Sequence, residues 1–321
     1  MPPGREVHQV CSTDSGLRID RFLAVKCPEF SRSYFKRLIR QGHVRIDGRE
    51  TEPDHKVATG ERVSVFFPPP AFTGLVPESL PLEVVYEDDD VIVVDKPAGL
   101  TVYPGPGHPS RTLVNALLVL VPELALLETT RPGIVHRLDK DTSGVMAVAK
   151  HRCAYQHLVS QFRSRSVRKG YLVLVKGRVT PERGVINLPI GRNPANRKTM
   201  AVTPSGREAR TEYRVAEQAG DFALLEVNPV TGRTHQIRVH LKAVGYPVAG
   251  DAVYGVRSPY LARQFVHAHR LGFRLPPSDR YREFTAGLPE DLKEALRSLG
   301  FKGALSGNPT PRKAERACAC R

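Results

Sequence analysis

Residues 133–144 crowd His136, Arg137, Asp139, Lys140, Asp141, Thr142 and Ser143 between the apolar pair Ile134 and Val135 and a β-type run that begins at Val145. That density exceeds what a turn requires, although a solvated turn with Asp and Thr capping backbone groups stays open on these residues alone. Other chemistries fit poorly. Asp139 and Asp141 lie two apart, and a tight loop does not readily set such a pair about 5 to 9 Å apart across a sugar, as a glycosidase needs. Ser143 lacks a G-x-S-x-G elbow. Asp88, Asp89 and Asp90 read as an acidic turn beside a strand. The pairs His235/His240 and His267/His269 lack the spacing of a zinc helix.

A second segment, residues 230–241, opens in a turn at Gly232 and enters an amphipathic helix with Thr234 as the expected cap. Arg238 falls in its first turns, one position beyond the apolar face. Two readings stay open: a surface arginine, or a permanently charged fork aimed at a buried anion.

Elements must hold these two segments together. Val63, Val65 and Phe67 alternate as a strand, and Pro68, Pro69, Pro70, Pro77 and Pro81 then mark a linker. The expected division is a module over residues 1–67, a Pro-rich linker over 68–81, a main domain over 82–300 and a basic, disordered tail over 301–321. In the module, Leu17, Ile19, Phe22 and Leu23 share a helical face. Ser31 and Ser33 offer caps to a second helix through Phe35, Leu38 and Ile39, and Gly42 stops it. Val44 and Ile46 then lead into the tight turn Asp47-Gly48. Residues 32, 36 and 40 align on one helix face, so Arg32, Lys36, Arg37 and Arg40 form either a solvated basic face or a surface for phosphate backbones.

In the main domain, strands are expected at 91–94, 145–149, 171–175 and 222–227. Helices are expected after the cap Thr112, over 237–244, and over 292–299. Neither G-x-G-x-x-G nor a phosphate loop occurs, so no nucleotide cofactor is expected.

The chain has 321 residues, enough for about two domains, and its net charge of +15 favours a polyanionic partner. A membrane is the weaker choice, because the longest uncharged apolar stretch, 112–122, falls well short of the roughly 20 residues of a span. Cys11, Cys27 and Cys153 are scattered, and Cys318 and Cys320 have no obvious further ligands nearby. The expectation is a reduced, cytoplasmic, monomeric protein with no metal.

The module, from Leu17 through Ser31, Ile39, Gly42 and Val44 to Gly48, resembles the S4-type RNA-binding domain, which implies RNA as partner. The main domain resembles the RluA/RluD family of pseudouridine synthases. The motif from His136 through Asp139 to Gly144 and the motif from Gly232 through Arg238 to Leu241 carry that resemblance. Lys96-Pro97-Ala98-Gly99-Leu100, the Tyr171 strand and the stretch 264–268 follow the family order. Tyr103 stands where a His is common and Gly170 where a Thr is common, and neither is expected to touch the residues given chemistry.

The resemblance implies an α+β protein: a small S4-like α/β module joined to a catalytic domain with a mixed, largely antiparallel central sheet. It implies isomerisation of uridine in RNA without a cofactor. Asp139 becomes the catalytic carboxylate, paired with Arg238, with Tyr171 as the active-site tyrosine. Arg137 fills the space left by a flipped base, and His136 adjoins it as an RNA-binding residue. The S4-like module favours large-subunit ribosomal RNA or a precursor particle. A tRNA-directed synthase and a non-catalytic RNA-binding assembly factor are the alternatives.

Overall fold

A computed structural model of the chain describes residues 4–303 apart from 28, 29, 31, 68–74, 106, 128 and 130. The cap at Ser31, the triple proline, the Cys318/Cys320 pair and the basic tail from 304 onward therefore lie outside the described residues, as does the Ser33 side chain. The described residues divide between two compact units, Met1–Gly74 with Ala125–Thr129 and Leu75–Leu124 with Thr130–Arg321. No helix among them is long and apolar enough to cross a membrane.

The first unit follows the sequence plan from its first helix to its last strand and adds an amino-terminal strand absent from that plan. Strand β1 (Gly4–Gln9) precedes helices α1 (Ile19–Lys26) and α2 (Arg32–Arg40), then β2 (Val44–Ile46), β3 (Arg49–Glu50) and β4 (Arg62–Phe67). The strands form an antiparallel sheet in the order β1-β4-β2-β3. Ile19, Phe22 and Leu23 from α1 meet Phe35, Leu38 and Ile39 from α2 over Val44, Val63 and Val65, all buried. Asp47 and Gly48 both take positive φ, 48° and 82°, as a two-residue hairpin turn demands.

The second unit is built on one large sheet. In chain order it contains β5 (Glu83–Glu87), β6 (Val91–Lys96), α3 (Leu113–Leu120), β7 (Ser143–Ala149), α4 (Arg152–Arg163) and β8 (Arg168–Lys176). Then come β9 (Arg183–Asn187), β10 (Ile190–Arg192), β11 (Met200–Val202), β12 (Arg210–Ala219) and β13 (Phe222–Pro229). The chain continues with α5 (Gln236–Ala243), β14 (Val266–Leu275), β15 (Arg280–Thr285) and α6 (Glu290–Ser298). The sheet order is β5-β6-β7-β14-β8-β13-β12-β9, with β15 alongside β14, while β10 and β11 make a separate hairpin. Among the described strands of this sheet only β7 and β14 pair in parallel, so the sheet is mixed and largely antiparallel as expected. Asp88, in the acidic run, accepts from the Asp90 and Val91 N–H groups and is turn chemistry.

Helix α4 and strand β14 are not announced by sequence pattern. Inward positions of α4 include the polar Gln161, which bonds the backbone of Arg274. Strand β14 carries His267, His269 and Arg270 through the middle of the sheet. Helix α5 begins at His235, in the left-handed region (φ 56°) with no side-chain cap bond, and not at a Thr234 cap.

Gly144 sits where β7 meets β14, at φ 122°, and a Cβ there would run into the Ala268 backbone. The parallel pairing that places the 139–143 loop thus depends on a bare Cα. Gly144→Ala is expected to cost several kcal/mol, on the scale of severe overpacking. A thermal midpoint equal to wild type would show that the sheet yields there.

Candidate active site

The turn holding Asp139 closes with the Thr142 N–H donating to the Asp139 carbonyl at 3.2 Å, after which Thr142 and Ser143 bury into β7. Two cations secure the turn through its backbone. The fully buried Lys96 ammonium donates to the carbonyls of Pro97, Leu100 and Lys140 at 2.8, 2.9 and 3.0 Å. Burial pulls this lysine down to about 7, against the opposing charges of Asp141 and Asp139. Arg263 donates to the Asp141 carbonyl at 3.1 Å and forks onto Asp291 at 2.7 and 3.0 Å. Ser143 contacts His267 Nδ1 at 3.0 Å, and His267 Nε2 reaches the Ala286 carbonyl.

Helix α5 brings the second segment in. Gln236 and His240, one turn apart, pin it to β12 by bonds to Thr211. Ile237 and Leu241 enter the core between them. Arg238 is then directed inward, only 7% exposed, and donates from Nη1 to Asp139 Oδ2 at 3.1 Å. Its other face forks onto Asp251 at 2.6 and 2.9 Å. Arg238 therefore bridges two carboxylates. Burial works against its charge, but the bonds and charges of Asp251 and then Asp139 hold it above its ordinary value. Burial likewise pushes Asp251 up, yet bonds from Arg238 and from the Val253 and Tyr254 N–H groups hold it below the usual carboxylate range.

These groups face a cleft of about 450 Å³ lined by Val135, Arg137, Asp139, Tyr171, His235 and Arg238, among others. Tyr171 stands on β8 between Val227 and Ala268 of the flanking strands. Burial, then the charge of Asp139, pushes its phenol well above its ordinary value, so it stays protonated. His235 Nε2 lies 3.9 Å from Asp139 Oδ1, and its Nδ1 contacts the Tyr254 hydroxyl at 2.8 Å. Burial holds this imidazole below its ordinary value despite the nearby Asp139. The arrangement is a carboxylate neutralised by a buried arginine, with a tyrosine beside it and an open face.

The family model described as RNA pseudouridylate synthase matches residues 90–243, and the S4 domain model matches residues 17–63. An RNA pseudouridine synthase of Chloroflexus aurantiacus is 53% identical over 89% of this chain and 91% of its own length. The chain belongs to the RNA pseudouridine synthase family. Ribosomal large subunit pseudouridine synthase D of Nitrosomonas europaea is 42% identical over 89% of this chain and 85% of its own. The solved structure of human RNA Pseudouridylate Synthase Domain Containing 1 is 30% identical, with a TM-score of 0.56 over 67% of this chain and 87% of that one. This pseudouridine synthase is thus an isomerase of the RluA/RluD family with an amino-terminal S4 domain.

Arg137 is exposed at the cleft and donates to the Tyr103 hydroxyl at 2.7 Å. Tyr103 therefore supports Arg137, the residue expected to fill the space of the flipped base. Arg131 also stacks on the Tyr103 ring, 3.9 Å from its centroid. Gly170 packs on Arg270, away from Asp139, where a Cβ would lie 3.1 Å from its Nε. His136 lines the cleft but accepts the Ala147 N–H at 3.0 Å through Nε2 and stacks on Phe162. Lys169 also reaches the cleft, pulled down to about 8 by burial and Arg165.

In the S4 unit, Arg32 and Lys36 lie 3.1 and 3.6 Å from Asp20, a fully buried carboxylate on α1. Burial opposes the Asp20 charge, but bonds from Arg18 and Arg32 hold its carboxyl below the usual range. Arg32 and Lys36 still expose about half of each side chain, and Arg37 and Arg40 are exposed on the same helix. Sequence reasoning missed Asp20, Asp251 and the buried role of Lys96. Asp251 follows Gly250 as if in an ordinary turn, and no local pattern marks it.

Burial pulls His136 down to about 3 and His267 to about 4, and lowers His240 and His269 as well. The folded state keeps these rings neutral, while an unfolded histidine takes up its proton near 6.5. The unfolded chain therefore binds more protons as pH falls below 6.5, and stability is lost from there down toward about 4. Thermal midpoints between pH 7 and 4.5 are expected to decline, with a shallower slope in His136→Phe. An equal slope would remove His136 from the set.

Proposed function

We propose that this synthase isomerises uridines in large-subunit ribosomal RNA with Asp139 as its catalytic carboxylate. The carrying observation is the Asp139–Arg238 contact at the open cleft, with Tyr171 on its wall. In the reaction the N1–C1′ bond breaks, the uracil turns, and C5 bonds to C1′. N1 gains a proton and C5 gives one up, so nothing is oxidised or hydrolysed. Arg238 offsets the carboxylate charge at the wall of the cleft. Tyr171, kept protonated, supplies a stacking ring and a hydroxyl donor. The target base is flipped out at a cost of a few kcal/mol, and Arg137 fills the space it leaves.

Residues 1–67, with Arg32, Lys36, Arg37 and Arg40, act as the RNA-binding module, 68–81 as the linker and 82–300 as the catalytic domain. His136 supports the cleft wall behind Arg137. The relative named for the large ribosomal subunit favours that RNA or its precursor particle as partner, and a monomer in the cytoplasm fits such a partner. Mapping pseudouridine in cells with and without the protein tests the reading. Large-subunit positions are expected to vanish without it. Loss confined to tRNA would redirect the target, and no loss would leave an RNA-binding factor.

A further inference from the structure

Strand β1 of the S4 unit runs against the usual pattern of a half-buried strand. Its outward position Val7 is 48% exposed, while Glu6 and His8 face inward. Their side chains are 19% (His8) and 38% (Glu6) exposed, so both remain partly in reach of solvent. What they meet is Cys27, buried at 2% exposure, the residue that ends α1. The Cys27 Sγ lies 3.3 Å from His8 Nε2 and 3.6 Å from Glu6 Oε2, and those two atoms are 3.3 Å apart.

We infer that Glu6, His8 and Cys27 bind one divalent ion of the zinc class. Zinc takes sulfur at about 2.3 Å, imidazole nitrogen at about 2.0–2.1 Å and carboxylate oxygen at about 2.0–2.2 Å, in a tetrahedron. Those bond lengths set ligand-to-ligand edges of about 3.6 Å for S–N and S–O and about 3.4 Å for N–O. The three observed separations match those edges within about 0.3 Å, so the donor atoms already outline one face of the tetrahedron.

Binding replaces the thiol proton, which passes to buffer, by the metal. A thiolate and a carboxylate then balance the 2+ ion, and the site is neutral. A water completes the fourth position, as in sites with three protein ligands.

The ion would fasten β1 to the end of α1 in a module of about 70 residues. Units of that size gain much from a metal clasp. Nothing in the sequence spacing shows it, because Glu6 and His8 become neighbours of Cys27 only when β1 lies against the helix end.

The test uses full-length protein with Cys318→Ser and Cys320→Ser, which removes the other thiol pair able to hold metal. After chelator treatment and dialysis it is loaded with Zn²⁺ or Co²⁺. The expected result is one ion per chain, a cobalt–thiolate charge-transfer band, about one proton released per ion, and a higher thermal midpoint. Cys27→Ser should lose the band. Glu6→Gln, a conservative change at a partly exposed residue, should keep the band and weaken binding about tenfold or more, 1.4 kcal/mol. Absence of stoichiometric metal in the parent overturns the site, as does an undiminished band in Cys27→Ser. Equal affinity in Glu6→Gln overturns the three-ligand assignment even if the cysteine variant misfolds.

Discussion

Asp139→Asn is expected to abolish isomerisation while RNA affinity stays within roughly tenfold, about 1.4 kcal/mol. The change keeps the shape of the side chain and leaves the turn intact, because the bond that closes it uses the Asp139 backbone carbonyl. Lys96 and Arg263 grip the carbonyls of residues 140 and 141, so the loop keeps its position. Arg238 keeps its fork on Asp251 and still finds an amide oxygen in place of the carboxylate. Only the charge and one carboxylate oxygen disappear. Binding, by contrast, is proposed to rest on phosphate contacts from the basic residues around the cleft and in the S4 unit. Single-turnover pseudouridine formation and equilibrium binding of the same RNA check this together. Undiminished turnover would remove Asp139 from the chemistry, and a large binding loss would give it a structural role.

What was legible in the sequence was local. The S4 unit could be laid out because its helices, the Gly42 stop and the Asp47-Gly48 turn are written within a few residues of each other. In the catalytic unit, patterning found β6, β7, β8 and β13 but not β5, β9 to β12 or β15, nor β14, whose His267 and His269 are buried through bonds to the Ala286 carbonyl. The same limit explains α4, where buried Gln161 is paid for by the backbone of residue 274 across 113 positions. Asp139 and Arg238 are 99 residues apart, so no spacing joins them. On the residues alone, Arg238 was as readily a surface group. Family resemblance joined the pair, and the fold supplies the cause: Gln236 and His240 pin one face of α5 to β12, which turns the opposite face, carrying Arg238, toward Asp139 and Asp251. Asp251 had no such help. Its role exists only because the 250–255 turn passes under α5, and a lone acidic residue after a glycine is ordinary sequence.

Arg238→Ala carries the second large effect, and the presence of Asp251 makes it larger than a simple ion pair would. If Arg238 were a surface phosphate contact, its loss would lower affinity modestly and reduce the slope of log affinity against log salt by just under one unit. It is instead 7% exposed and holds two carboxylates, one of them fully buried. Truncation leaves Asp251 without its fork and Asp139 without its counter-charge, and breaking a buried pair of this kind costs about 3–5 kcal/mol. The expected result is a collapse of the single-turnover rate, a lower thermal midpoint and an unchanged salt slope. Arg238→Lys restores a charge but can reach only one carboxylate well, since a lysine lacks the planar fork. It should recover part of the stability and little of the rate. That split separates the two partners of the arginine, because Asp251 anchors α5 from below while Asp139 is the proposed catalytic carboxylate. Asp251→Asn provides the complementary arm: it keeps Asp139 paired, so it should lose more stability than rate. A normal rate with a reduced salt slope in Arg238→Ala would place the arginine on the RNA surface and sink the pairing.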